Sequence, residues 1–294
     1  MLNQKYIQKL LQPGLLVLFA LWLVQPVYAD NQEILKRGTA ALEDGLYAMA
    51  HKELTEYIEK SSKKEDKARG TLLLAQVYFE EGKHEEVINL LEQFKTRGQD
   101  TDSEGGFVFW TARAEYALGR YEAVLLRLAA FETVYPDDPH RLSSFRLKQR
   151  AHLGVGNIEA ALKGFKTFDK KYGDTGEGPG NLLEWAGVLI EADDRDAARV
   201  LLERLVKNHG DHPEVYQAQL WLGELEWRAG DLVPAQTRLN VLVADETIPD
   251  DVRKKGWLAL AETYEQEEKF QEALEATTEA HALAVDPVEL RRLS

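Results

Sequence analysis

A short phrase that recurs every 37 residues constrains the fold of this 294-residue chain more than any other feature of its sequence. Each copy has a turn residue, a polar residue soon after it, and a small apolar residue that opens a hydrophobic stretch. The turn residues are Gly45, Gly82, Gly119, Gly156, Asp193, Gly230 and Glu268, with intervals of 37 residues except for 38 before the last. A fixed period of this length predicts stacked copies of one supersecondary unit, none of which can bury its apolar face alone.

Small residues in the same register predict that each unit is a pair of helices that cross closely. They stand seven positions before the turn and five after it, where a large side chain would push two paired helices apart. The first set is Gly38, Ala75, Ala112, Gln149, Ala186, Gly223 and Ala261, and the second is Ala50, Val87, Val124, Ala161, Ala198, Ala235 and Ala273. Gln149 is the one departure, so we expect the first helix of the fourth unit to be irregular.

Bulky residues nine and twelve positions after the turn predict the buried face of the second helix, because this spacing places both on one side. The pairs are Leu54/Tyr57, Leu91/Phe94, Leu128/Phe131, Phe165/Phe168, Leu202/Leu205 and Leu239/Leu242. The last unit has Thr277 and Ala280 instead. A terminal repeat has no neighbour to cover it, so the loss of bulky residues there is expected.

This pattern resembles the tetratricopeptide repeat (TPR) family over nearly the whole chain after residue 30. The resemblance implies an all-α fold, a right-handed α-α superhelix (a TPR solenoid) of about seven helix-turn-helix repeats, each with a helix A and a helix B. We expect the array at residues 31–285, in units of about 31–67, 68–104, 105–141, 142–178, 179–215, 216–253 and 254–285, then a cap or tail at 286–294.

The repeat is longer than the common length of about 34 residues, and the extra residues are expected between helix B and the next helix A. Four prolines lie there, Pro136, Pro139, Pro213 and Pro249. Two segments rich in glycine and acidic residues, 97–106 and 172–180, are expected to be surface loops.

The first 29 residues have the layout of a secretory signal peptide that is cleaved before Asp30. Lys5 and Lys9 precede an apolar run from Gly14 to Val24, and Val27 and Ala29 supply the small residues that a signal peptidase accepts. An uncleaved anchor is the alternative, but spanning a bilayer takes about 20 apolar residues. The chain has no cysteine, whereas secreted eukaryotic proteins of this size usually contain disulfides, which favours the bacterial periplasm over export through the endoplasmic reticulum. Secretion from the cell is the other location left open.

Charge and motifs exclude several classes of function. The formal net charge of −14 opposes binding to nucleic acid, which needs basic groups on the protein surface. Asp100–Gly105 resembles the opening of a calcium loop, but Thr111 stands where the loop needs an acid. His209 and His212 are at best half of a metal site. We therefore expect no enzyme activity, no cofactor and no metal.

Ligands of the TPR family usually contact the positions ten, six and three residues before the turn, on helices that line the inner surface. Carried onto this sequence, the resemblance implies that partners contact Gln76, Phe79, Phe109, Arg113, Tyr116, Arg146, Arg150 and Trp227. The three arginines stand out in an acidic chain, and arginine binds carboxylates through paired hydrogen bonds. Repeats two to four are therefore predicted to bind an acidic or C-terminal segment of another protein. The alternative is that these arginines pair with Glu115, Glu122 or Glu159.

Together these features predict a non-catalytic protein–protein interaction scaffold or adaptor in the bacterial cell envelope. Two other functions remain open. One is a structural spacer that associates with itself, and the other is a non-catalytic accessory domain of a cell-wall enzyme complex.

Overall fold

The computed structural model describes residues 31–96 and 104–283, with the backbone alone for residues 95 and 96. The chain divides into two compact units, residues 1–158 and 159–294. The predicted signal peptide, most of the calcium-like segment and the predicted tail at 286–294 lie outside the described residues.

All regular elements in the described ranges are helices. The first unit contains α1 (31–43), α2 (Tyr47–Lys60), α3 (Lys64–Glu80), α4 (His84–Thr96), α5 (Glu104–Ala117), α6 (Tyr121–Arg127), α7 (Phe131–Val134) and α8 (Arg141–Gly154). From the boundary onward follow α9 (Ile158–Tyr172), α10 (Gly178–Glu191), α11 (Arg195–Asn208), α12 (Glu214–Ala229), α13 (Leu232–Ala244), α14 (Asp250–Gln266) and α15 (Phe270–Ala282). The predicted all-α fold of repeated helical hairpins is confirmed.

Each predicted turn residue ends a helix A in the left-handed backbone region. The φ angles lie between 59° and 85° at all seven positions, which are Gly45, Gly82, Gly119, Gly156, Asp193, Gly230 and Glu268. At Gly82 the backbone N–H of the following Lys83 donates to the carbonyl of Tyr78 at 2.8 Å, and that of Gly82 donates to Phe79 at 2.9 Å. This pair of bonds is the Schellman motif, which favours glycine because a left-handed φ strains other residues.

Small residues in helix A accommodate bulky residues of helix B, as the sequence predicts. A Cβ added at Gly223 in α12 would lie 2.7 Å from Leu239 Cδ2 in α13, closer than carbon atoms approach. The bulky pairs of the first six repeats are all buried, with at most 8% of any side chain exposed. Burial of a leucine or phenylalanine side chain contributes roughly 1.5–3 kcal/mol, so these pairs dominate the stability of each hairpin.

Successive repeats stack through both helices within each unit. The A helices α3, α5 and α8 pack side by side in the first unit, as α10, α12 and α14 do in the second. Each B helix also contacts the next A helix, as α4 contacts α5 and α13 contacts α14. Because the A helices of one unit lie next to one another, side chains from neighbouring A helices can form one shared surface.

A buried ion pair occurs at equivalent positions of the third and sixth repeats. Arg127 donates from Nε and Nη2 to the carboxylate of Glu115 at 2.8 and 2.6 Å, and Arg238 donates to Glu226 at 2.9 and 2.7 Å. Both glutamates are less than a tenth exposed. The pairs join helix A to helix B of the same repeat.

The expected irregularity at Gln149 is wrong. Helix α8 is continuous, and Gln149 is 1% exposed at the position that is small in the other repeats. Its amide oxygen and nitrogen have no hydrogen-bond partner among the described residues. The irregular element is instead helix B of the third repeat, which divides into α6 and α7. There Phe131 N bonds to Leu128 O, a tighter i to i−3 pattern that keeps both side chains buried.

The two predicted surface loops are shorter than expected. Glu104–Gly106 form the first turn of α5, and Gly178–Gly180 form the first turn of α10. The latter three residues are buried, and a Cβ at Gly178 would lie 1.9 Å from the carbonyl oxygen of Gly173. Glycine is therefore required by close packing there, and Pro179 suits the start of a helix.

Candidate partner-binding face

The predicted contact residues of repeats two to four lie on the three neighbouring A helices α3, α5 and α8, whose shared surface we call the first A face. Gln76 and Phe79 lie on α3, Phe109, Arg113 and Tyr116 on α5, and Arg146 and Arg150 on α8. Trp227 lies on α12, in the second unit.

Arg113 lies against two aromatic rings at the centre of the first A face. Its guanidinium carbon is 4.4 Å from the ring centre of Phe79 and 4.4 Å from that of Trp110. The two rings meet edge to face, with centres 5.6 Å apart and planes at 71°. The guanidinium group therefore occupies the corner between them, where cation–π attraction restrains it.

The charge of Arg113 has no carboxylate bound to it among the described residues. Burial lowers the pKa of Arg113, Glu80 acts through space to raise it, and Arg150 lowers it further. A guanidinium group nevertheless stays protonated in proteins. The face thus holds a half-buried cation, with a second positive charge near enough to affect it.

Glu115, one of the carboxylates expected to neutralise these arginines, is engaged elsewhere. Its two oxygens accept the hydrogen bonds from Arg127, and Glu115 is 6% exposed. The pairing of Arg113 with Glu115 that the sequence left open is therefore not formed.

The remaining predicted residues of the face differ in how much surface they offer. Phe109 is 6% exposed and stacks on His140 with ring centres 4.5 Å apart, so it supports the packing and leaves little surface for a partner. Gln76, Tyr116 and Arg146 are half-buried, and Arg150 is exposed. The ring of Tyr116 meets that of Tyr121, with ring centres 5.2 Å apart.

Trp110 is not among the contact residues predicted from the sequence, although it forms one side of the corner that holds Arg113. The residue is 7% exposed, and its indole N–H has no acceptor among the described side chains and backbone. A usable signal was present, because Trp110 precedes Arg113 by three residues and such pairs lie on the same face of a helix.

The second unit carries acidic residues where the first unit carries arginine. Glu224 and Glu262 stand six residues before their turns, as Arg113 and Arg150 do. Glu224 is half-buried, and burial raises its pKa, as does the like charge of Glu262, while Arg228 and Lys255 lower it. The half-buried Trp227 lies one turn further along α12, and its indole N–H has no acceptor within the described ranges.

Residues 31–96 and 104–283 contain neither a metal-binding cluster nor a membrane-spanning helix. These residues hold no group of three or more His, Asp or Glu side chains arranged to bind a metal. His212 hydrogen-bonds to Glu214. The same ranges contain no helix that is both long and apolar enough to cross a membrane.

One family model matches part of this chain. The tetratricopeptide repeat family model matches residues 183–236, which include α11, α12, most of α10 and the start of α13. This supports the TPR resemblance predicted from the sequence. No curated protein matches the chain significantly.

Solved structures with the same fold are distant in sequence. A tetratricopeptide repeat protein from Parabacteroides merdae is 11% identical, with a TM-score of 0.58, 90% of this chain covered and 96% of that one. A STAND signal-transduction ATPase with a TPR sensor, from Pyrococcus horikoshii, is 16% identical with a TM-score of 0.70 over 88% of this chain and 43% of its own. A Rap protein complexed with competence and sporulation factor is 16% identical with a TM-score of 0.53, covering 84% and 73%. At these identities the likeness concerns the fold alone.

Proposed function

We propose that this chain is a non-catalytic scaffold of the bacterial cell envelope that binds acidic or C-terminal segments of other proteins on its first A face. The observation that carries the proposal is Arg113, a half-buried guanidinium group held against Phe79 and Trp110 with no carboxylate bound to it in the described residues. A half-buried charge without an ion pair costs stability, and the cation–π contacts offset only part of that cost, so we infer that a ligand completes its interactions.

The chemistry of the ligand follows from the guanidinium group. Its N–H groups lie in one plane and match the two oxygens of a carboxylate, which accept paired hydrogen bonds. Each hydrogen bond to a charged group contributes about 1.5–3 kcal/mol where water is partly excluded. Arg146 and Arg150 on α8 extend the positive charge along the face. The expected ligand is therefore the side-chain or terminal carboxylate of a partner protein.

The surroundings of Arg113 supply the rest of a binding surface. Phe79 and Tyr116 are half-buried aromatic residues, and Gln76 is a half-buried amide that can donate and accept. Rigid aromatic side chains and arginine are the residue types that contribute most to protein interfaces. A short extended or helical segment that crosses α3, α5 and α8 would contact all of them.

The envelope location and the lack of catalysis are supported by separate observations. Residues 1–29 have the layout of a cleaved signal peptide, and a chain without cysteine suits the periplasm. The Rap protein of similar fold is complexed with competence and sporulation factor, which is consistent with a binding role for this chain. Repeats of this kind serve broadly as binding surfaces.

Titration with short glutamate-rich peptides tests the proposal. We expect the wild-type protein to bind a peptide with a free C-terminus, and Arg113→Glu to weaken binding at least about tenfold, because it replaces attraction by repulsion. Arg195→Glu is the matched control, because it makes the same charge change at an exposed residue of the second unit. Equal binding by wild type and Arg113→Glu would overturn the proposal.

Three versions of the peptide distinguish the source of the carboxylate. An amidated C-terminus removes the terminal carboxylate, glutamine in place of glutamate removes the side-chain carboxylates, and the third version has both changes. Loss with the first or the second version identifies the source. If the third version binds as well as the unmodified peptide, the carboxylate assignment is wrong.

Capture from periplasmic extract connects the peptide result to the cell. A specific protein retained by wild type and by Arg195→Glu, but not by Arg113→Glu, is the expected partner. Light scattering on the same samples tests the self-associating spacer, which requires the purified protein to form higher oligomers by itself.

A further inference from the structure

An apolar groove lies in the second unit along α13, away from the contact positions of the A helices. It has a volume of about 660 Å³ and is bounded by the start of α12, the length of α13 and the loop after α13. Val215, Leu242 and Ile248 form its buried floor, Tyr216 lies half-buried at its side, and Val233 and Val241 stand at its rim. This volume lies within the range of pockets that take ligands, about 300–1,000 Å³.

The two rim valines are large apolar residues at exposed positions of α13, where a polar residue is usual. Val233 is 69% and Val241 is 70% exposed, and their spacing of eight residues places both on one side of α13. Valine is a weaker helix former than the residues usual on exposed helix positions. Neither packing nor helix propensity therefore accounts for valine at these two sites.

The other repeats carry mainly polar residues at the same two positions. Three residues after the turn stand Ala48, Glu85, Glu122, Glu159, Asp196 and Gln271, where the sixth repeat has Val233. Eleven residues after it stand Glu56, Gln93, Ala130, Thr167, Arg204 and Glu279, where the sixth repeat has Val241. Only in the sixth repeat are both positions large and apolar.

Two of these polar residues show what the positions do elsewhere. Glu85 of α4 forms an ion pair with Arg120 at the start of α6, and Arg204 of α11 forms one with Asp169 of α9 at 2.5 Å. They join the B helices of successive repeats. With valine at both positions, the sixth repeat cannot form such an ion pair there and exposes an apolar stripe instead. Contiguous apolar surface of this kind marks interaction sites.

The acidic residues around the groove determine which charge a partner should carry. Arg238 lines it, but its charge is compensated by the paired hydrogen bonds to Glu226, and its Nη1 donates to Gln219 at 2.5 Å. Asp245 lines one end and accepts hydrogen bonds from the hydroxyl and backbone N–H of Thr247, which lower its pKa and keep it ionised. The second unit as a whole has 16 Lys and Arg against 28 Asp and Glu. A positively charged partner is therefore favoured.

We propose that the groove along α13 is a second docking surface, which binds the apolar side of a basic amphipathic helix from a partner protein. Such a helix places apolar residues at i, i+4 and i+7 into a groove, while its Lys or Arg residues face the acidic surroundings. The groove and the first A face consist of different residues, so this proposal can be tested separately from the carboxylate site.

The test uses a synthetic helical peptide with leucine at i, i+4 and i+7 and lysine on its flanks. Its comparators replace lysine by glutamate, or leucine by serine. We expect the wild-type protein to bind the first peptide, and at least about tenfold weaker binding, or about 1.4 kcal/mol, of both comparators. Absence of binding by the first peptide, or equal binding by the glutamate version, would overturn the proposal.

Variants locate the binding. Val233→Glu/Val241→Glu and Val233→Gln/Val241→Thr both introduce residues found at the same positions of other repeats, so both are expected to fold. Each should weaken the lysine peptide at least about tenfold, whereas Val200→Glu, at a 63% exposed valine of α11 outside the groove, should not. Unchanged binding by both double variants contradicts the assignment. If sedimentation shows a wild-type dimer that these variants dissociate, the occupant is a second copy, and the proposed partner is wrong.

Discussion

The two units of this chain share one packing rule and differ in the charge that they present. Both pair a small residue of helix A with bulky residues of helix B, and both contain the same ion pair, Glu115–Arg127 in one and Glu226–Arg238 in the other. The first unit has 20 Lys and Arg against 22 Asp and Glu, whereas the second has 16 against 28.

The difference is sharpest at the position six residues before the turn. In the first unit two of the four repeats have arginine at this position, Arg113 and Arg150, and in the second unit two of the three have glutamate, Glu224 and Glu262. The core positions are constrained by packing, so they repeat, while positions outside the core are free to diverge. Repeats built to one plan therefore present opposite charges at the same position.

The largest expected effect comes from the packing that the units share. Leu91→Ala in the first unit and Leu202→Ala in the second should each cost about 2–5 kcal/mol of unfolding free energy, because each leaves a cavity in a buried contact. Denaturant titration measures the loss. Leu126→Ala, at an 81% exposed leucine, is the control and should cost less than about 0.5 kcal/mol. A large loss in one unit and none in the other would show that the packing rule is not shared.

The repeated ion pair should contribute equally in both units. Arg127→Met and Arg238→Met leave a buried glutamate without its donors, and each should cost about 1–3 kcal/mol. The same titration compares them with Arg120→Met, which breaks an exposed pair and should cost less than about 1 kcal/mol. If Arg127→Met and Arg238→Met lower the unfolding free energy no more than this control does, the buried ion pairs do not stabilise their repeats.

The aromatic corner should matter for binding in the first unit only. Phe79→Leu keeps the apolar contact but removes a ring that restrains Arg113, so the affinity for the glutamate peptide should fall about three- to tenfold. Isothermal titration calorimetry measures this change. Trp227→Leu in the second unit should leave the affinity unchanged, and an equal fall with both variants would contradict a local role for Phe79.

The smallest effect concerns the pH dependence of the second unit. The pKa of Glu224 is raised in the folded state, mainly by burial, so folding favours the protonated carboxyl. The stability that this group contributes is present at low pH and is lost as pH rises above about 4.5, its ordinary pKa, through the folded value. Glu224→Gln should therefore flatten the fall in melting temperature over this range and be slightly more stable than wild type at pH 7.

The control for this prediction is Glu203→Gln, at an exposed carboxyl of the same unit that is not among the groups acting on Glu224. It should change stability by less than about 0.5 kcal/mol. A Glu224→Gln variant that is less stable than wild type at pH 7 would show that the ionised carboxylate is needed for folding.

The repeat register was predictable because its causes are local. A left-handed turn favours glycine, and two helices can cross closely only over a small side chain, so Gly82 and Gly223 are recognisable without a structure. The division of helix B between α6 and α7 was not predictable, because residues 128–130 contain neither glycine nor proline. The helix is divided where Phe131 N bonds to Leu128 O, and the side chains of both residues are buried.

The candidate site was predictable by position but not by geometry. Family contact positions pointed to Arg113, yet the corner formed by Phe79 and Trp110 requires two helices to be placed side by side. The engagement of Glu115 by Arg127 likewise depends on a contact across the turn between residues twelve apart. The groove along α13 was missed because valine in a helix is usually read as core.

Hydrogen exchange of the whole chain, with and without a saturating glutamate-rich peptide, tests the central claim most directly, because it reports on every helix at once. The account predicts slower exchange in α3, α5 and α8, no change in α12 and α14, and clearly less protection in Arg113→Glu at the same peptide concentration. Protection of α12 and α14 instead, or the same protection in Arg113→Glu as in wild type, would contradict it.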